Sequence, residues 1–207
     1  MKRLKNNQSG QSLIELIVSI AVITIGLFSV WFLFLVNFNA VKESEMRIVA
    51  ANLAREGAEI VKNIRDSNWL RMARNLSDSG AASGLWLWDR GLADGIYTID
   101  YRNGLLVLED DNQAGKLFFD ADGYYSSSAT ANSSPFSRLV TLASICCYDS
   151  DPEDLKCDDT SHFFTTNDSG CPANTIKIGI NVNSRVTWTY SGQPRQLVVE
   201  DQLFNWR

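Results

Sequence analysis

Glu15 is the only charged residue between Gln11 and Val36, in the run QSLIELIVSIAVITIGLFSVWFLFLV. A carboxylate at the centre of a membrane helix costs about 2.5–3.5 kcal/mol, and less near the helix end. Taken alone, Glu15 can sit at a membrane interface or favour the positive end of a helix. Four cysteines, Cys146, Cys147, Cys157 and Cys171, form the other chemically distinctive set. An even count in an oxidising compartment points to disulfides. Adjacent Cys146 and Cys147 are poorly placed to reach one tetrahedral ion, since zinc ligands are usually spaced by two to four residues. Neighbours on a strand point to opposite faces. Each is therefore expected to bridge a different partner, Cys157 or Cys171, and both such pairings stay open.

Acidic clusters raise the question of calcium. Asp120 and Asp122 flank a turn beside Gly123, and Asp149, Asp151 and Asp154 lie in a second acidic loop. Hard oxygen ligands of this kind suit calcium. Neither run completes an EF-hand pattern, so solvated acidic turns are the simpler reading and no cofactor is expected. His162 is the only histidine, which rules out a multi-histidine metal site. No Gly-x-Ser-x-Gly elbow accompanies Ser161-His162. There is no glycine-rich phosphate loop and no Cys-x-x-Cys pair. The chain is not expected to be an enzyme. Its formal charge of −5, from 19 basic and 24 acidic residues, does not indicate direct DNA binding, because a phosphate backbone demands Lys and Arg.

The elements that position these residues begin with a helix. Leu16–Val36 is uncharged, and at 1.5 Å per residue it spans about 32 Å. That matches a hydrocarbon core of roughly 30 Å. Lys2, Arg3 and Lys5 precede it with no acidic residue, so this flank should stay cytoplasmic. A secretory signal peptide has a shorter apolar region, though VNFNA before Val41 loosely resembles a cleavage site. A plain single-pass anchor accounts for the length but not for Gly10 and Glu15 at its start. No Cys near residue 11 suggests a lipid-modified terminus. The helical signal continues through residues 37–66, with Val49, Leu53, Ile60 and Ile64 on one stripe and Ala50 and Gly57 on or near it. Glu43–Arg47 and Arg55–Glu59 can support the solvent side. The small residues of Ala50–Glu59 fit packing on the chain's own sheet, with direct subunit contact as the alternative.

Gly10-Gln11-Ser12-Leu13-Ile14-Glu15 resembles the processing and methylation site of type IV prepilins and pseudopilins. The resemblance implies cleavage by prepilin peptidase after Gly10 and methylation of the new terminal amine on Gln11. It implies that Glu15, fifth in the mature chain, acts in assembly. Gln11 departs from the usual Phe. A long helix, membrane part first and globular part second, is also similar to the family pattern. The resemblance implies other partners: major and minor pilins or pseudopilins, an inner-membrane assembly platform and the lipid bilayer. It is sharp over residues 10–36 and moderate to about residue 68.

Asp66-Ser67-Asn68 reads as a helix stop, with Ser67 or Asn68 capping a short second helix, Trp69–Leu76. Residues 67–95 are thus a short helix and connecting loop. Trp86 and Trp88 read as partly buried core or turn residues, with a contact surface as the alternative. From residue 96 to 207 the pattern is that of an antiparallel sheet. Expected strands are Ile96–Tyr101, Leu105–Leu108, Lys116–Phe119, Phe136–Ile145, Ile176–Tyr190 and Arg195–Val199, with Asn103-Gly104 as a hairpin signal. Ser126–Pro135 reads as a linker, and a bulge is expected at Asn183-Ser184. Leu203-Phe204-Asn205-Trp206 should dock back on the domain. The late hairpin and this ending also resemble minor pilins of the PilV class.

The expected fold is α+β: a 1–10 leader, then one long N-terminal helix. That helix is membrane-spanning over 11–36 and exported over 37–66, and it packs on a C-terminal antiparallel sheet. The expected function is a minor pilin or pseudopilin subunit of a type IV pilus, DNA-uptake or type II secretion filament. It would lie in the inner membrane with its N-terminus cytoplasmic, then in an extracytoplasmic filament. A membrane-anchored binding module that never polymerises is the alternative.

Overall fold

A computed structural model describes residues 11–74, 87–100, 104, 106–108, 115–128, 132–148, 163–166 and 170–205. Its one described helix, α1, spans Gln11–Ala73. Eight strands follow among the described residues: β1 (Gly95–Ile99), β2 (Leu106–Leu108), β3 (Lys116–Phe119), β4 (Tyr125–Ser126), β5 (Asn132–Tyr148), β6 (Phe163–Thr165), β7 (Thr175–Tyr190) and β8 (Gln193–Phe204). This is the α+β arrangement read from the sequence. The chain forms two compact units, up to Met46 and from Arg47 onward.

In the first unit the apolar side chains from Leu13 to Phe38 are exposed, and α1 is long and apolar enough to cross a membrane by length and composition. Its few hydroxyls turn back on their own helix. Ser19 Oγ donates to the Glu15 carbonyl at 2.7 Å, Thr24 Oγ1 to that of Ile20 at 2.9 Å and Ser29 Oγ to that of Ile25 at 2.8 Å. A polar group without such a partner would be costly in hydrocarbon. Trp31, Phe34 and Phe38 stack in succession, and the Lys42 ammonium lies 4.6 Å from the Phe38 ring centre.

The second unit is built around β5. One edge of this strand pairs antiparallel with β7 along nearly its whole length. Its other edge is shared by three short strands, β3, β1 and β6, placed one after another. β2 extends β1, β4 extends β3, and β8 extends β7. Ala50, Leu53, Ala54, Ala58 and Val61 of α1 are buried, and Ala58 and Val61 share one core with Val140, Leu142, Ile180, Val182 and Leu203. The small residues of Ala50–Glu59 therefore serve packing on the chain's own sheet. A Cβ on Gly57 would stand 2.5 Å from Ser184 Oγ and 3.1 Å from Val140 Cγ2, so helix and sheet are in close contact there.

Several boundaries differ from the sequence reading. Asp66-Ser67-Asn68 does not stop the helix, and no second helix starts at Trp69, because α1 continues to Ala73. Asn68 spends its amide on the Trp88 and Arg90 carbonyls, at 3.1 and 2.8 Å, instead of capping. Trp69 joins the core, with the Arg65 guanidinium 4.5 Å from its ring centre. Core contact holds this last stretch helical where local capping signals would end it.

No bulge occurs at Asn183-Ser184: β7 pairs without interruption there with both β5 and β8. Ser184 simply occupies an inward position, small and polar because Gly57 crosses over it. The register shifts instead opposite Ile145 and Cys146. The Ser126–Pro135 linker is partly strand, since β5 begins at Asn132. A register shift against β3 accommodates Pro135, the setting in which a sheet tolerates proline. Ser191 and Gly192 both have positive φ and close a two-residue hairpin between Tyr190 and Gln193. β8 runs past Val199 to Phe204, burying Leu203 and setting Phe204 beside Phe163. The Asn205 N–H donates to the Ile178 carbonyl at 2.7 Å. Trp206 lies outside the described residues.

Candidate functional site

Gly10 lies outside the described residues. Gln11 opens α1, and Glu15, one turn further on, is exposed. Its carbonyl accepts the Ser19 hydroxyl, which leaves the helix intact across this polar start. An exposed carboxylate one turn into an apolar helix can answer a positive charge brought to it.

In the second unit Cys146 and Cys171 form a disulfide with a Cα–Cα separation of 5.6 Å. Cys147 is also disulfide-bonded and none of the described cysteines is free. Of the two pairings left open by the sequence, the bond to Cys171 belongs to Cys146. Cys157, His162, Asp149, Asp151 and Asp154 lie outside the described residues. Asp120 Oδ1 accepts the backbone N–H groups of Asp122 and Tyr124, both at 2.9 Å, so its carboxylate organises its own turn. Asp122 is exposed. Trp88 is buried in a turn, as expected, and Trp86 lies outside the described residues.

A polar hub stands beside the disulfide. Asp94, just before β1, accepts the Ser144 hydroxyl at 2.5 Å, the Thr166 hydroxyl at 2.8 Å and the Gly170 N–H at 3.0 Å. Burial disfavours its charge, but the hydrogen bonds from Ser144, Thr166 and Gly170 outweigh burial and hold the carboxyl below its ordinary range. Burial, and next the charge of Asp94, push the Tyr97 phenol up, and its hydroxyl donates to the Ala93 carbonyl at 2.9 Å. Lys177 bonds the preceding turn, at 2.9 Å to Asp89 and 3.3 Å to the Leu92 carbonyl. Ser144 lies two residues before Cys146 and Gly170 one before Cys171, so covalent and polar links fasten the same two segments.

Arg138 is the second feature that sequence patterning does not single out. It is buried on β5, donates to the Leu53 carbonyl at 3.1 Å and the Ile99 carbonyl at 2.9 Å, and pairs with Glu56 at 3.1 Å. One guanidinium thus ties helix, central strand and β1 together. Its signal in the sequence is a charge in phase with Phe136, Val140 and Leu142. Asp94 has no comparable signal, because its partners come from distant segments.

Residues 5–31 match the family model described as the prokaryotic N-terminal methylation motif. No curated protein and no solved structure matches the chain. The matched segment contains Gly10, Gln11 and Glu15. Together with the apolar helix, the motif supports a type IV prepilin-like chain. In the rest of the chain, the described residues supply staples and clamps that hold a sheet domain together.

Proposed function

We propose that this chain is a structural subunit of an extracytoplasmic filament of the type IV pilus or pseudopilus kind, and one of its minor subunits. The N-terminal methylation motif over residues 5–31 carries the reading. In it, prepilin peptidase cuts after Gly10, Gln11 becomes the methylated terminus, and Glu15 guides assembly. The segment lies in the inner membrane, with the basic flank cytoplasmic, until an assembly platform moves the subunit among other pilins. Such a role calls on no cofactor and no reaction at the sheet domain. The resemblance to the PilV class favours a minor over a major subunit. Pilus, DNA-uptake and type II secretion filaments all use such subunits.

Mass spectrometry of the chain purified from membranes tests the reading. The expected mature chain begins at Gln11, with one added methyl on its amine. Replacing Gly10 by a bulky residue should leave an uncut precursor, because a side chain there obstructs the extended backbone that a peptidase grips. A mature chain beginning at Met1 or at Val41 would overturn the proposal.

A further inference from the structure

β8 is an outer strand of the sheet: among the described residues it pairs with β7 and with no other strand. Ser191-Gly192 closes a two-residue hairpin, so Tyr190 and Gln193 are a hydrogen-bonded pair. Such pairs alternate with open ones along an antiparallel ladder. The odd-numbered residues of β8 therefore turn their main-chain groups toward β7, and the even-numbered ones turn theirs outward. Two details agree with that phase. Pro194, which has no N–H, falls at an outward position, where an edge strand tolerates proline. The outward Gln202 N–H donates to the neighbouring Asp201 Oδ1 at 2.9 Å. Between these two ends, Gln196, Val198 and Glu200 direct N–H and C=O groups outward with no main-chain partner among the described residues. Val198 is 44% exposed, and among the described residues it is the one large apolar side chain so exposed on a strand. Leu197 and Val199 are half-buried on the other face, opposite Val186 and Ser184. Natural edges resist pairing by placing proline and charge along them. Here those devices stand at the two ends, and the stretch between them is apolar and open.

We propose that β8 takes up an extended basic segment of another protein as an added antiparallel strand. An open ladder is matched by another extended backbone, which carries donors and acceptors at the same spacing. The apolar side chains of the segment lie beside Leu197 and Val199 and widen the core face. Its basic side chain lies on the other face, beside Val198 and opposite Glu200. The Glu200 carboxylate is already held in place there, accepting from Asn181 Nδ2 at 2.8 Å. A second copy of this chain fits less well, because it brings the same acidic edge and a net charge of −5. None of these residues belongs to the N-terminal motif, and uptake at β8 does not depend on cleavage after Gly10.

The test is fluorescence anisotropy of a labelled peptide, Lys-Val-Thr-Val-Thr-Val-Lys, titrated with the full chain in non-ionic detergent. With its valines beside Leu197 and Val199, an antiparallel peptide turns its Lys and Thr amides toward β8. The peptide should bind. N-methylation of both Thr amides should weaken it about tenfold or more, the scale of lost hydrogen bonds, whereas N-methylation of the Val amides should not. The peptide with Glu in place of both Lys should bind about fivefold more weakly, and Glu200→Lys should reverse that preference. Val198→Pro removes the central outward N–H without touching the ladder to β7, so it should lose binding at unchanged thermal midpoint. Absence of binding, equal binding of the Thr-methylated peptide, or an unchanged preference in Glu200→Lys would overturn the proposal. So would sedimentation that shows the full chain pairing with itself through β8, lost in Val198→Pro.

Discussion

Arg138 and Asp94 carry charge into the sheet domain by two different routes. Arg138 is 1% exposed, yet two main-chain carbonyls and the Glu56 carboxylate surround its guanidinium. Removing a partner from a fully buried pair costs about 3–5 kcal/mol; the side chain of Glu56 is 35% exposed, so water offsets part of that loss. Asp94 is half-buried and satisfied by three donors. Its folded carboxyl titrates below the ordinary value near 3.9, so the native state favours its charged form. The stabilisation is fully present above about pH 4 and is lost as pH falls through the lowered folded value. Asp94→Asn is expected to lower the denaturant midpoint at pH 7 by about 1–3 kcal/mol equivalent. Its deficit relative to wild type should shrink as pH drops below about 4. Chemical denaturation of both proteins from pH 7 to pH 3 checks this; a deficit that stays constant with pH would assign the loss to shape and not to charge.

At the scale of elements, the crossing of α1 over β5 and β7 sets the tolerance of the fold. Glycine inside a helix is less favourable than alanine by about 1 kcal/mol, so Gly57 is there for space. Gly57→Ala would place a Cβ 2.5 Å from Ser184 Oγ. The resulting shift costs about 1–3 kcal/mol, which exceeds the gain in helix propensity. Ser184→Ala removes that oxygen, which is buried without a hydrogen-bond partner among the described residues. Alone it should be neutral or stabilising. Combined with Gly57→Ala it should restore stability to the wild-type level or above, since the next contact is Val140 Cγ2 at 3.1 Å. Thermal midpoints of the four proteins complete the cycle; additive effects would show that the two positions do not meet. The late end of α1 follows the same logic. Asn68 and Trp69 have better partners in the turn around Trp88 and in the core than a cap could offer them.

For the whole molecule, the proposed function asks one chain to serve a lipid environment first and an assembled one later. In the proposed function, peptidase cleavage would create an amine at Gln11, and an amine in apolar surroundings needs a countercharge. Glu15→Leu should therefore leave cleavage and membrane abundance unchanged while reducing recovery in sheared filaments, and Glu15→Gln should do the same. Immunoblots normalised to the membrane fraction measure it, and wild-type recovery of Glu15→Leu would remove the pairing role. What the sequence by itself determined is local and periodic. The uncharged run after Glu15, the two-residue alternation from Ile176 to Tyr190 and the motif around Gly10 all follow from neighbours within a few positions. Tertiary structure alone decided where α1 ends and why Ser184 interrupts an apolar stripe without a bulge. It also decided that Cys171 joins Cys146, that three short strands share one edge of β5, and that Asp94 gathers Ser144, Thr166 and Gly170. The reason is physical. Each of these depends on groups separated by tens of residues, whose approach is set by packing and shared burial and leaves no mark on the residues next to them in the chain.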